Sequence, residues 1–203
     1  MKRINKKRKN SSNTEEEEEY PSEYTNQISV KNNRILFHCS VSESSCFELI
    51  DALDQACKYV NDIYTIDEEK PSIVLHINSY GGDVHAALSV VEHIKSLNVN
   101  VTTICEGYVA SAGVLLSLAG KRKIIRKHSY MLIHEISSSC WGKYTELKDE
   151  MKNNKRLMKD LINYMKEACN GKLPEENIDE LLRHDISWGA KKCLKYGLVD
   201  EIK

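Results

Sequence analysis

Apolar residues recur along most of this chain in two different patterns. Short apolar or β-rich stretches predict strands at residues 34–39, 72–77 and 99–105, and the uninterrupted apolar run at 73–75 indicates a strand covered on both faces. Apolar positions at helical spacing predict amphipathic helices at residues 46–60 and 84–94. The stretch from 72 to 105 therefore contains a strand, a glycine turn, a helix and a second strand. This order is typical of a βαβ unit, so the pattern predicts an α/β fold with a parallel sheet.

The second half of the chain continues with further short elements. The pattern predicts a helix of small residues at 110–119, strands at 123–126 and 130–133, short helices at 174–182 and 187–196, and a last strand at 198–202. A long helix at 143–168 carries one narrow apolar stripe on a surface rich in Lys and Glu. Such a stripe suits packing against another helix or subunit, and a plain surface helix is an equally good interpretation.

The first 27 residues differ in composition from the rest of the chain. They contain six Lys or Arg and six Glu but almost nothing apolar, which predicts a disordered charged tail ahead of one folded domain at 28–203. The whole chain has 29 basic and 30 acidic residues, which leaves 23 and 24 for the folded part. Because its positive and negative charges nearly cancel, the domain has no overall electrostatic field that would attract nucleic acid or an anionic membrane.

Other function classes are made improbable by what the sequence lacks. It contains no P-loop, no secretory signal and no apolar run long enough to span a bilayer, which predicts a cytoplasmic protein that does not itself hydrolyse ATP. Its seven cysteines include no CxxC pair, and the histidines show no ligand spacing with them. We therefore expect reduced, mostly buried thiols, with neither a metal nor a cofactor.

Several polar or glycine positions lie where strands of an α/β sheet end, which is where such folds place their chemistry. Gly82 follows a buried strand, Ser111 lies near the start of the small-residue helix, and His134 ends an apolar strand. Asp185 lies between two predicted helices. Each position alone has a structural explanation: a tight turn, a closely packed helix, a satisfied histidine or a helix cap. Only their combination indicates a site.

Four motifs in order resemble the proteolytic subunit of the Clp protease, the ClpP family. They are NSYGG at 78–82, GYVASAG at 107–113, MLIH at 131–134, and HD at 184–185 followed by YGLVD at 196–200. The resemblance covers about residues 34–203. It implies a ClpP/crotonase-like fold, which is a repeated β-β-α spiral with a largely parallel sheet and a protruding helical handle at about 135–169.

The resemblance also implies roles for individual residues. Ser111 matches the nucleophile, His134 the general base and Asp185 the residue that orients the imidazole. The backbone N–H groups of Gly82 and Ala112 match the oxyanion hole. A serine hydroxyl needs such a base, and an imidazole with a pKa near 6.5 can remove its proton at neutral pH. No metal and no cofactor takes part in this chemistry.

The function implied is that of a serine endopeptidase that hydrolyses unfolded proteins inside a chamber. Family members form two stacked seven-membered rings of the same chain and work with a separate AAA+ unfoldase of the ClpX or ClpA type. Two alternatives remain open: a non-catalytic ClpP-like ring subunit, and a crotonase-like enzyme acting on CoA thioesters. The chain departs from the family pattern at Tyr80, at Glu135 and at 137–142, where proline, glutamine and a glycine-rich segment are usual. These departures bear on ring stacking and peptide preference.

Overall fold

A computed structural model describes residues 27–64, 71–174, 178 and 181–203 of the chain. The predicted tail at 1–27 lies outside these residues except for Gln27, which begins the first strand. The strands are β1 (Gln27–Lys31), β2 (Arg34–His38), β3 (Ile73–Ser79), β4 (Val101–Ala110), β5 (Arg122–Ile125), β6 (Tyr130–Leu132), β7 (Trp188–Gly189) and β8 (Glu201–Ile202). The helices are α1 (Glu43–Ile63), α2 (Val84–Ser96), α3 (Ala112–Leu118), α4 (Tyr144–Ala168) and α5 (Ala190–Lys195).

The strands form one largely parallel sheet. Its order is β1-β2-β3-β4-β5-β8, and every pair along this path is parallel except β1–β2. The ten-residue β4 pairs with β5 through residues 102–105 and with β6 through residues 108–110. The predicted βαβ unit is thus present as β3, α2 and β4, and β4 extends five residues beyond its predicted end. This extension aligns Ala110, the last residue of β4, with Leu132 at the end of β6.

Helices α1 and α2 begin at ordinary capping residues and bury the apolar faces expected from their spacing. Ser42 caps α1 in a capping box, and the Asp83 carboxylate accepts the Ala86 N–H at the start of α2. The core formed by the sheet and these helices contains fully buried Phe37, Leu53 and Leu75. None of the helices in the described part of the chain has the length and apolar content needed to cross a membrane.

Helix α4 is the least buried of the long elements. Of its 25 residues only Leu161 and Met165, both in the second half, are buried. The apolar residues of its first half, including Leu147 and Met151, are exposed. The helix therefore packs against the domain at its C-terminal half and extends beyond the domain at its N-terminal half. Residues 144–168 fall within the range of about 135–169 in which the family resemblance places the handle.

The C-terminal region differs from the sequence prediction in detail. The helix predicted at 187–196 is wrong at its start, because Trp188 and Gly189 form β7 and only Ala190–Lys195 is helical. The Trp188 side chain is buried and its backbone pairs with β6, so sheet pairing replaces the first helical turn. The last strand is shorter than predicted, since β8 contains two residues. The helix predicted at 174–182 lies partly outside the described residues.

A network of charged and polar side chains joins neighbouring strands β2, β3 and β4. Glu106 on β4 accepts hydrogen bonds from His76 Nδ1 at 2.9 Å and from Arg126 Nε at 3.1 Å. Arg34 contacts the other ring nitrogen of His76, which is only 3% exposed. Burial by itself would raise the pKa of Glu106, but the hydrogen bonds and charges of His76 and Arg126 outweigh it and lower the pKa below its ordinary 4.5.

Candidate active site

The turn after β3 is built from two glycines in conformations that other residues rarely adopt. Gly81 has φ +91° and Gly82 has φ +146°. A Cβ on Gly81 would lie 2.6 Å from Ser111 Cβ, and one on Gly82 would lie 2.0 Å from the Val41 carbonyl oxygen. Glycine is therefore required at both positions by close backbone approach as well as by φ. The result is a turn that packs directly against Ser111.

A short bridge holds this turn in place. The Val41 N–H donates to the Gly81 carbonyl at 2.9 Å, and the Asp83 N–H donates to the Val41 carbonyl, also at 2.9 Å. Val41 and Gly82 form an isolated parallel bridge as a result. The sequence analysis did not identify Val41 as a site residue, and no local signal in the sequence marks it, because the contact joins residues about 40 positions apart.

Ser111 occupies the sharp junction between β4 and α3. Its φ of +53° and ψ of −127° lie outside the regions that residues with a side chain ordinarily adopt. The Ser111 N–H donates to the Leu132 carbonyl at 2.8 Å, and the Ser111 carbonyl accepts the Val114 N–H. The hydroxyl makes no capping hydrogen bond to the helix. The backbone is thus restrained on both sides while the hydroxyl remains available to a ligand.

His134 follows β6 and is half-buried. Its Nδ1 lies in hydrogen-bond contact with the carbonyl oxygen of Glu135. A carbonyl can only accept, so Nδ1 carries the proton and Nε2 retains its lone pair in the neutral ring. That tautomer is the one a general base needs, and in this structure a backbone carbonyl selects it.

Ser111 and His134 line one cleft together with Gly82, Ala112, Glu135 and Ser137. Apolar side chains from α3, α4 and neighbouring segments complete its walls: Val84, Val114, Leu115, Ile133, Ile136, Met158, Leu161, Met165 and Leu182. The C-terminal half of α4 therefore closes one side of the cleft. The arrangement brings Ser111, His134, Gly82 and Ala112 to one largely apolar pocket.

Asp185 is the predicted site residue that the structure does not bring into this cleft. It lies in the exposed segment 183–187, between helical residues 181–183 and β7. Among the described residues, no hydrogen bond joins Asp185 to His134, and none joins His134 to Ser111. The structure therefore brings together four of the five predicted residues and leaves the carboxylate apart.

The buried cysteines Cys105 and Cys193 do not line the cleft. Burial raises the pKa of Cys105 and of Cys193 to about 12, which keeps both thiols protonated at neutral pH. No cluster of three or more His, Cys, Asp or Glu suited to a metal ion occurs within residues 27–64, 71–174 and 181–203. Of the two serines that line the cleft, Ser111 and Ser137, Ser111 is the one at the strained junction that leads into a helix.

Comparison with known proteins yields consistent matches. Residues 25–203 match the family described as Clp protease. The chain is 35% identical over 139 residues to the ATP-dependent Clp protease proteolytic subunit 2 of Chlamydia pneumoniae, covering 67% of each chain. It is 29% identical over 179 residues to the proteolytic subunit of Cyanophora paradoxa, covering 85% of each.

A solved structure of a ClpP1 mutant from Listeria monocytogenes superposes with a TM-score of 0.72 at 22% identity. The match covers 85% of this chain and 91% of that one. At this identity the superposition bears on the fold, and the predicted ClpP-like α/β class is confirmed.

Proposed function

We propose, from the premise that this chain belongs to the Clp protease family and is a serine peptidase, that it cleaves peptide bonds through an acyl-enzyme on Ser111. The family resemblance inferred from the four sequence motifs is confirmed. The single observation that carries the proposal is the strained β4–α3 junction, which presents Ser111 to the same cleft as His134 and the glycine turn.

The proposed reaction divides the work among these groups. His134 Nε2 takes the Ser111 proton as the hydroxyl oxygen attacks the substrate carbonyl, and then returns it to the leaving amine. The N–H groups of Gly82 and Ala112 stabilise the oxyanion, each contributing about 3 kcal/mol in comparable enzymes. In the second half of the reaction water attacks the acyl-enzyme. His134 takes a proton from this water and then gives one to the departing Ser111 oxygen.

Asp185 is proposed to orient the imidazole during turnover. In this structure the Glu135 carbonyl accepts from Nδ1. We infer that catalysis requires His134 to exchange this carbonyl for the Asp185 carboxylate, because a carboxylate stabilises the imidazolium far better than an amide oxygen does. The two residues would thus bind His134 Nδ1 through different groups. Glu135 uses its backbone carbonyl, and Asp185 is proposed to use its side-chain carboxylate.

The proposed substrates are unfolded polypeptides. The cleft walls from Ile133, Met158 and Leu161 suit an apolar side chain next to the scissile bond. The relatives are named ATP-dependent, and this chain contains no P-loop. We therefore propose that a separate AAA+ unfoldase delivers substrate.

The chain is also proposed to assemble with copies of itself into two stacked seven-membered rings. The exposed apolar side chains of Tyr144, Leu147 and Met151, on the outer half of α4, suit packing between rings. Sedimentation of the full-length protein tests this assembly. Polar substitutions at Leu147 and Met151 should shift any double ring toward single rings or smaller species.

The test of the catalytic proposal is Ser111→Ala, with Ser89→Ala as a matched control on the exposed face of α2. Cleavage of a fluorogenic peptide should fall by about 10⁴-fold or more in Ser111→Ala and stay unchanged in the control. A fluorophosphonate should modify Ser111 in the native protein. Full activity of Ser111→Ala would refute the nucleophile assignment. A native protein that neither cleaves peptide nor reacts with the fluorophosphonate would favour the non-catalytic ring subunit.

A further inference from the structure

The segment that carries Asp185 has few restraints of its own. At its start the Leu182 carbonyl accepts the Glu135 N–H at 3.1 Å, and at its end Trp188 pairs with Met131 of β6. All five residues from 183 to 187 between these anchors are exposed. Within this segment the Ile186 N–H donates to the His184 carbonyl, which is a local backbone hydrogen bond. Holding a carboxylate steady here needs a further contact.

Tyr108 supplies such a contact. Its hydroxyl lies 3.1 Å from the Ser187 hydroxyl, a hydrogen bond between residues 79 positions apart. Ser187 lies two residues after Asp185, and Tyr108 lies three residues before Ser111 on β4. The Tyr108 ring also packs at 5.3 Å, centroid to centroid, against the ring of Tyr80, which immediately precedes the glycine turn.

The strand that carries Tyr108 is a firm base for such a contact. Tyr108 is aligned with Tyr130 in the parallel pairing of β4 with β6, two residues before the aligned pair formed by Ala110 and Leu132. The same two strands lead into Ser111 and His134. A hydrogen bond from Tyr108 to Ser187 therefore anchors the end of segment 183–187 beside the strand that leads into Ser111, while the Asp185 side chain makes no hydrogen bond to His134 in this structure.

We propose that Tyr108 is a positioning residue whose hydrogen bond to Ser187 anchors segment 183–187, so that the Asp185 side chain can replace the Glu135 carbonyl at His134 Nδ1 during turnover. This inference rests on the proposed triad. Tyr108 acts on the substrate only through Asp185, so its loss weakens the orientation of the imidazole and leaves substrate binding intact. The sequence motif at 107–113 contains Tyr108, but nothing in the motif indicates this role.

Tyr108→Phe tests the proposal because it keeps the ring against Tyr80 and removes only the hydroxyl. We expect kcat to fall about 5- to 10-fold, the effect of one lost hydrogen bond, with KM unchanged within about twofold. A carboxylate near the imidazole favours its protonated form, so loosening Asp185 should move the acid limb of the kcat/KM profile to lower pH. Asp185→Asn should move it in the same direction and further.

The experiment uses the full-length protein and a fluorogenic peptide. Ser187→Ala should reproduce the effects of Tyr108→Phe, and the double variant should lose no more activity than either single one. Tyr130→Phe is the control, because Tyr130 is aligned with Tyr108 in the neighbouring strand and is half exposed. It should retain the wild-type kcat and pH profile.

Three results would overturn the inference: an unchanged kcat and pH profile in Tyr108→Phe, additive losses in the double variant, or an equal loss in Tyr130→Phe. Failure of the proposed function is distinguishable from these, because it appears as full activity in Ser111→Ala or an unchanged profile in Asp185→Asn. In the second case Tyr108 has no carboxylate to position, and the inference is overturned with the triad.

Discussion

Replacing Gly82 by alanine tests whether the glycine turn holds the oxyanion donor where the chemistry needs it. The new methyl carbon would lie 2.0 Å from the Val41 carbonyl oxygen and 3.0 Å from its carbon. Both obstacles are backbone atoms, so no side chain can rotate to make room. The turn and the Val41 segment must therefore separate.

The magnitude follows from what this separation breaks. The bridge contains two backbone hydrogen bonds of 2.9 Å, and each contributes about 1 kcal/mol. Alanine at φ +146° adds about 1 to 3 kcal/mol of backbone strain. We expect the free energy of unfolding to fall by about 3 to 5 kcal/mol. Displacing the Gly82 N–H should lower kcat by about 10²- to 10³-fold.

The assay combines urea unfolding with kcat and KM for a fluorogenic peptide, measured well below the melting temperature of the variant. Gly171→Ala is the matched control, because Gly171 also has a positive φ of +71° but has no atom within 4 Å of the added methyl. It should cost about 1 kcal/mol of stability and leave kcat unchanged. Gly82→Ala with the kcat of the wild type, or with the stability of Gly171→Ala, would refute this reasoning.

Three further substitutions test other parts of the structure. Ser111→Gly should abolish peptide cleavage and yet unfold at a higher urea concentration than Ser111→Ala, because glycine relieves the strain at φ +53°; equal midpoints would contradict the strain. Glu106→Gln should be less stable than the wild type at pH 7, where the carboxylate is ionised and paired. Since the pKa of Glu106 lies below 4.5, that difference should shrink as the pH falls from 4.5 through the lowered pKa, and a difference independent of pH in unfolding titrations would contradict it. Lys123→Met should lower the unfolding free energy by about 1 to 3 kcal/mol, because buried Lys123 Nζ donates to the last carbonyl of α4 at 2.9 Å; an unchanged denaturation midpoint would contradict that contribution.

Much of the fold can be predicted from the local spacing of apolar and polar residues along the chain. The uninterrupted apolar run at 73–75 predicts a strand buried on both faces, and the order of strand, helix and β-rich strand from 72 to 105 predicts that the two strands are parallel. The helical spacing of apolar residues in α1 and α2 predicts their buried faces, because residues at this spacing lie on one side of a helix. β7 could not be predicted in this way. Trp188 and Gly189 form a strand only because β6 offers them a partner about 57 residues away.

The candidate site also has features that the sequence predicts and features that depend on distant contacts. The motifs predict Ser111, His134, Gly82 and Ala112 as site residues, and the fold brings all four to one cleft. Sequence could not show that the Glu135 carbonyl faces His134 Nδ1, since the choice between that carbonyl and a distant carboxylate depends on side-chain torsion and on where segment 183–187 lies.

By itself the sequence determined the alternation of strands and helices, the family, and which residue types stand at the strand ends, because these depend on spacing along the chain. Only the tertiary structure decided that Val41 holds the glycine turn, that His76 and Glu106 pair within the sheet, and that Tyr108 contacts Ser187. Each of these contacts joins residues at least 30 positions apart. A contact of this kind depends on strand register and packing, and no local pattern of side chains encodes it.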